Sequence, residues 1–124
     1  MSKTNRRIVE EFLDLINREK KVREAFEIYA HEDYLQHNPT CEVGREGAIK
    51  LIEQIVAMPG FNPSVKRLIV EDDLVVSHMH LDFGPHAPGL AVADIWRVED
   101  GKLIEHWDVI QEVPAVIASG CSMF

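Results

Sequence analysis

A chain of 124 residues with 46% hydrophobic and 27% charged content has the balance of one soluble globular domain, which sets aside disordered and fibrous classes. The formal charge is −8 and the lysines and arginines gather into no stripe, so neither a nucleic acid nor an anionic membrane is expected as a partner. No apolar run approaches the roughly 20 residues needed to span a bilayer. The opening MSKTNRRIVEEF lacks the apolar segment of a secretory leader, which predicts a cytoplasmic protein.

Residues 4–18 place Ile8, Phe12, Leu15 and Ile16 at helical spacing with charges between them, and Thr4 can cap the start. A second amphipathic helix follows, with Val22, Ala25, Phe26, Tyr29 and Ala30 on one side. Residues 33–39 then break helical periodicity, and Pro39 biases Asn38 toward an extended backbone. Of the two polar residues there that could point into the mouth of a pocket, His37 is favoured over Asn38, with Tyr34 as core or pocket wall. After Gly44 a third helix carries Ala48, Ile49, Ile52, Ile55 and Val56 inward and must stop by Met58, ahead of Pro59-Gly60.

From Ser64 the period changes to two. SVKRLIVEDD and LVVSHMHLDF read as strands around an acidic turn at Glu71-Asp72-Asp73, and GPHAPG, which contains His86, as a loop able to act as a lid. On the second of these strands Leu74, Val76, His78, His80 and Asp82 share one face, and Val75, Met79, Leu81 and Phe83 the other. Both faces look partly buried. One is expected to hold the helices and the other a second subunit or the C-terminal tail. Three helices followed by a bent antiparallel sheet predict a single α+β domain over 1–124, with a concave pocket at the open end of the sheet.

The last two strands, LAVADIWRVEDGKLIEHWDVIQ, put polar residues where a plain sheet would have apolar ones. Val92, Asp94, Trp96 and Val98 share one face. A three-residue turn ending on Gly101 pairs Val98 with Lys102, which sets Asp94 opposite His106 and Val92 opposite Asp108; this register is preferred. A two-residue Asp100-Gly101 turn would set Asp94 opposite Trp107 and scatter the polar set. An acid amid Val92 and Trp96 is desolvated, which raises its pKa and suits it to moving protons. Asp94 is therefore the leading candidate, with His78, His80, His106 and Asp108 expected on the same concave face. Trp96 and Trp107 read first as core, and Trp96 also as a wall against a ligand. Arg97 and Glu105 are expected to face outward, and His31 carries no signal.

Three histidines with Asp94 or Asp108 also have the ligand types for zinc or iron, a rival reading to acid–base chemistry. A third reading is a domain that binds a small ligand without reacting it. Cys41 and Cys121 fit no metal spacing and are expected to be free thiols.

Together YLQHNP (34–39), HMH (78–80), ADIWRVEDGK (93–102), EHWDVIQ (105–111) and the terminal MF give a chain that resembles the SnoaL-like polyketide cyclase family, of the cone-shaped fold of the nuclear transport factor 2 superfamily. The resemblance implies an intramolecular aldol ring closure without cofactor or covalent intermediate, with Asp94 as acid/base and His80 hydrogen-bonded to it or to the developing enolate oxygen. His37, His78, His106, Asp108 and Trp96 are expected to bind the substrate from their places on the predicted pocket face, and the substrate is expected to be a small apolar carbonyl compound. Where characterised cyclases carry a glutamine two residues before the histidine, this chain has His78. Asp108 matches the last-strand aspartate of cone-fold epoxide hydrolases, but their arginine and second aspartate fall at His78 and His80, so that reaction is not implied. A homodimer through the outer sheet face is expected from that face's apolar residues and from the resemblance.

Overall fold

The computed structural model describes residues 3–124. Helices α1 (Asn5–Asn17) and α2 (Val22–Tyr29) lead directly into strand β1 (Ala30–Gln36), followed by α3 (Gly44–Val56) and four more strands, β2 (Asn62–Glu71), β3 (Leu74–Asp82), β4 (Leu90–Glu99) and β5 (Lys102–Glu112). The sheet order is β1-β5-β4-β3-β2; β1 runs parallel to β5 and every other pair is antiparallel. This is the α+β arrangement the sequence predicts, with helices on one face of a curved sheet.

Local chemistry sets the element ends. The Thr4 hydroxyl accepts from the Arg7 N–H at 3.2 Å and caps α1. In α3 the Gly47 backbone presses so closely on the Glu42 carbonyl that a Cβ would sit 2.1 Å from its oxygen, so only glycine fits. Phe12, Phe26, Tyr34 and Trp96 form the centre of the core, with Phe12–Phe26, Phe26–Tyr34 and Phe12–Trp96 edge contacts at 5.0, 5.6 and 6.1 Å. They tie both leading helices to the inner face of β1 and β4.

The β4–β5 hairpin departs from both expected registers. Asp100 and Gly101 adopt φ of 49° and 77°, the two-residue turn whose twist matches a hairpin. Glu99 and Val98 pair with Lys102 and Leu103, but Arg97 then pairs with Glu105, leaving Ile104 as an extra residue in a bulge. The bulge adds one step, so Asp94 lies opposite Asp108 and Trp96 opposite His106. The polar residues still share a face, by a route that neither simple turn provides.

On β3 the expectation about faces is reversed. Ser77 pairs with Asp94, so Val75, Ser77, Met79 and Leu81 face the helices, while His78 and His80 pair with Ala93 and Ala91 on the outer face. The alternation itself was legible. Which set faces the helices was not, because the outer set also contains apolar residues. Among the described residues no helix is long and apolar enough to cross a membrane.

Candidate functional site

Between the helices and the inner face of the sheet lies a cavity of about 260 Å³. Its walls are largely apolar, from Phe12, Ile52, Leu81 and Val92 among others, and its polar residues come from β1, β4, β5, the turn after β1 and, with Asn17, the end of α1.

The centre is a chain of hydrogen bonds from Gln36 through His106 to Asp94. Gln36 Oε1 lies 2.7 Å from His106 Nδ1, and His106 Nε2 lies 2.8 Å from Asp94 Oδ1. The orientation of the Gln36 amide is fixed because the same Oε1 accepts the Asn38 backbone N–H at 3.0 Å. An oxygen at that position makes Nδ1–H the donor, so Nε2 and Asp94 Oδ1 must share one proton between them. Either the acid is protonated, or the pair is an imidazolium–carboxylate. Both residues are buried, with Asp94 only 7% exposed.

Burial pushes the Asp94 pKa above its ordinary value of 3.8; the His106 contact pulls it back, and the neighbouring Asp108 charge raises it. Ser77 Oγ, across the strand pair from Asp94, is the one buried side-chain polar atom without a hydrogen-bond partner among the described residues, and its proximity draws the Asp94 pKa slightly down. Asp94 lines the cavity, and His106 engages only its Oδ1. Tyr34 lines the same space, and burial holds its phenol well above the ordinary tyrosine range, hence protonated.

A second group adjoins the first. Asn38 Nδ2 donates to both oxygens of Asp108, at 3.0 and 2.8 Å, while Asn38 Oδ1 accepts from the Thr40 N–H and hydroxyl at 2.8 and 2.7 Å. The Asn-Pro-Thr turn thereby clamps the β5 carboxylate from outside the strand.

Of the residues singled out from the sequence, Asp94, Trp96, His106 and Asp108 line the cavity. Three do not. His37 is exposed on the outer face, stacked on Trp107 with centroids 5.0 Å apart and 2.7 Å from Glu105 Oε2. His78 contacts Arg67, and His80 stacks on Phe124 at 4.2 Å. His80 therefore makes no hydrogen bond to Asp94; the strand register puts the sheet between them, and His106 occupies the partner position instead.

Gln36 and Thr40 are not singled out by the sequence, and Asn38 ranks there below His37, although it is Asn38 that lines the cavity. The signal was present in the alternation of Tyr34, Gln36 and Asn38, since a buried Tyr34 carries the next two even positions to the same side. The same separation dissolves the three-histidine metal set. Ligand-type atoms of Asp94, His106 and Asp108 do lie within 4.8 Å of one another. The His106 nitrogen is engaged by Asp94 and the Asp108 oxygens by an amide N–H, so these donors fit a hydrogen-bond network better than a cation.

A family model for the SnoaL-like domain matches residues 9–106. The chain belongs to the SnoaL-like family. No curated protein sequence matches it. Among solved structures, TsrD from Streptomyces laurentii is similar with a TM-score of 0.71 and 23% identity over 87% of this chain and 91% of that one. A SnoaL-like polyketide cyclase from Agrobacterium tumefaciens superposes with a TM-score of 0.73 and 14% identity, covering 88% of this chain and 92% of its own. A protein from Cytophaga hutchinsonii, described as NTF2-like, gives 0.72 and 18% identity over 90% and 93%. At these identities the likeness is one of fold, and it agrees with the nuclear transport factor 2-like cone.

Proposed function

We propose that this SnoaL-like domain is a cofactor-independent acid–base enzyme acting on a small, largely apolar carbonyl compound, by enolisation and ring closure of the aldol type. The observation that carries the reading is Asp94: one oxygen held by His106, the side chain in the wall of an apolar cavity, and a pKa raised by burial. In the imidazolium–carboxylate form, Asp94 can take a proton from the carbon beside a carbonyl. The enolate carbon attacks a second carbonyl in the same molecule, and the proton held on Asp94 passes to the new alkoxide. His106 orients and stabilises the carboxylate, and the protonated Tyr34 phenol supplies the donor chemistry that an oxyanion requires. The polyketide cyclase named among the structural neighbours supports the reaction class.

The test needs no native substrate. Exchange of the protons beside the carbonyl of small cyclic ketones and diketones in deuterated buffer, followed by proton NMR, reads the first step directly. The wild type is expected to accelerate exchange and Asp94→Asn to abolish the acceleration with the fold intact. Binding of the ketones without any acceleration would leave a ligand-binding domain and remove the enzymatic reading.

A second copy is proposed to pack on the outer sheet face, where Leu35, Ile69 and Val109 stay 58%, 58% and 70% exposed. Sedimentation should show a dimer, and a monomer at micromolar concentration would remove this part. The protein is proposed to work in the cytoplasm, with no nucleic-acid or membrane partner.

A further inference from the structure

Of the two carboxylates that line the cavity among the described residues, Asp94 is held by His106 and Asp108 by a neutral amide alone. The Asp108 carboxylate receives hydrogen bonds from a single side chain among the described residues, the Asn38 amide. That amide cannot turn to offer its oxygen, because Thr40 holds Oδ1 on the other side. A carboxylate has about four acceptor positions. Directly across the strand pair stands Asp94, whose shared proton is committed to His106. Among the described residues no lysine or arginine lines the cavity to offset the Asp108 charge. A molecule that offered Asp108 only a carbonyl oxygen would leave that charge unpaired, and an anion would add to the negative charge that Asp108 already gives the cavity, since the proton-sharing Asp94–His106 pair is neutral as a whole.

Building on the reading of this cavity as a ligand site, we infer that Asp108 is a specificity-determining residue. It selects compounds of one or two rings that present an O–H or N–H donor, a hydroxyl or an ammonium group, and it turns away anions. The donor hydrogen-bonds Asp108 while the rest of the molecule fills the apolar walls. The volume of about 260 Å³ fits this size, being just below the ~300–1,000 Å³ of sites for drug-sized ligands. The substrate of the proposed chemistry then carries a donor in addition to its carbonyl group, and is neither a carboxylate nor a phosphate ester.

Four probes of one shape separate the possibilities: indane, 2-indanol, 2-aminoindane and indane-2-carboxylate, titrated at pH 7 by ligand-observed NMR into the wild type, Asp108→Asn and Asp94→Asn. A hydrogen bond to a charged group corresponds to at least about a tenfold gain in affinity. The wild type should therefore bind 2-indanol or 2-aminoindane at least tenfold more tightly than indane and should reject the carboxylate. A gain confined to one donor identifies the class as hydroxyl or amine. In Asp108→Asn the advantage of the amine should fall below about threefold, and in Asp94→Asn the donor preference should persist. The wild-type ranking decides the matter even if Asp108→Asn does not fold. Indane binding as tightly as both donor probes, or the carboxylate binding as tightly as 2-indanol, would overturn the inference and leave the cavity a ligand site. Failure of all four to bind would overturn the inference together with the ligand-site reading.

Discussion

Replacing His106 by leucine tests the electrostatic balance of the cavity, because the imidazole is the main influence holding the Asp94 pKa down against burial. Leucine fills similar space but leaves Asp94 without its 2.8 Å partner and Gln36 Oε1 without the Nδ1–H donor. An unpaired buried charge would cost about 3–5 kcal/mol, but an acid can escape by binding a proton, which caps the loss near the ~1–3 kcal/mol of an unsatisfied polar group. The sign of the pH dependence follows. With its folded pKa above the ordinary 3.8, Asp94 binds more protons folded than unfolded, so its contribution is retained below 3.8 and lost as pH rises toward the folded value. In the variant that value is higher still, which extends the loss to higher pH at up to ~1.4 kcal/mol per pH unit. Urea denaturation should show His106→Leu destabilised by about 3 kcal/mol at pH 8 and by about half of that at pH 5. In thermal melts this is a shift of about 12 °C at pH 8, at ~4 °C per kcal/mol for a domain of this size. Equal destabilisation at the two pH values would refute the proton-sharing pair.

Other substitutions check separate steps. Gly47→Ala should destabilise by about 1–3 kcal/mol in thermal melts: the helix-propensity gain of ~1 kcal/mol is outweighed by a Cβ placed 2.1 Å from the Glu42 carbonyl oxygen. His80→Ala should leave the ketone exchange rate within about twofold of the wild type, since the ring stacks on Phe124 across the sheet from Asp94. Asn38→Asp should destabilise by about 2 kcal/mol at pH 7 and by less at pH 4, as two carboxylates replace an amide–carboxylate contact; chemical denaturation at both pH values reads it.

Much of the architecture could be read from residue spacing. The helical stripes that include Phe12, Phe26 and Ile49, and the change to period two after Ser64, fix three helices and a sheet because each pattern has one geometry that buries it. The site was legible only where a residue's identity conflicts with its surroundings: Asp94 among valines and a tryptophan is costly unless it has a partner. The residue directly across from it could not be read, since the bulge at Ile104 leaves no mark in periodicity and sets Asp108 there, with His106 opposite Trp96. His80 looked equivalent to His106 on a strand whose two faces are both partly apolar, and only three-dimensional packing separates them. At the pocket mouth, alternation from the buried Tyr34 points Asn38 inward and His37 outward.

Titration of the Asp94 carboxyl carbon by NMR, on protein labelled at aspartate and assigned by the signal missing in Asp94→Asn, tests the whole account most directly. A midpoint clearly above 3.8 in the wild type, rising further in His106→Leu, is the expected result. A carboxyl that titrates at or below that value, and does not respond to the loss of His106, would contradict the account.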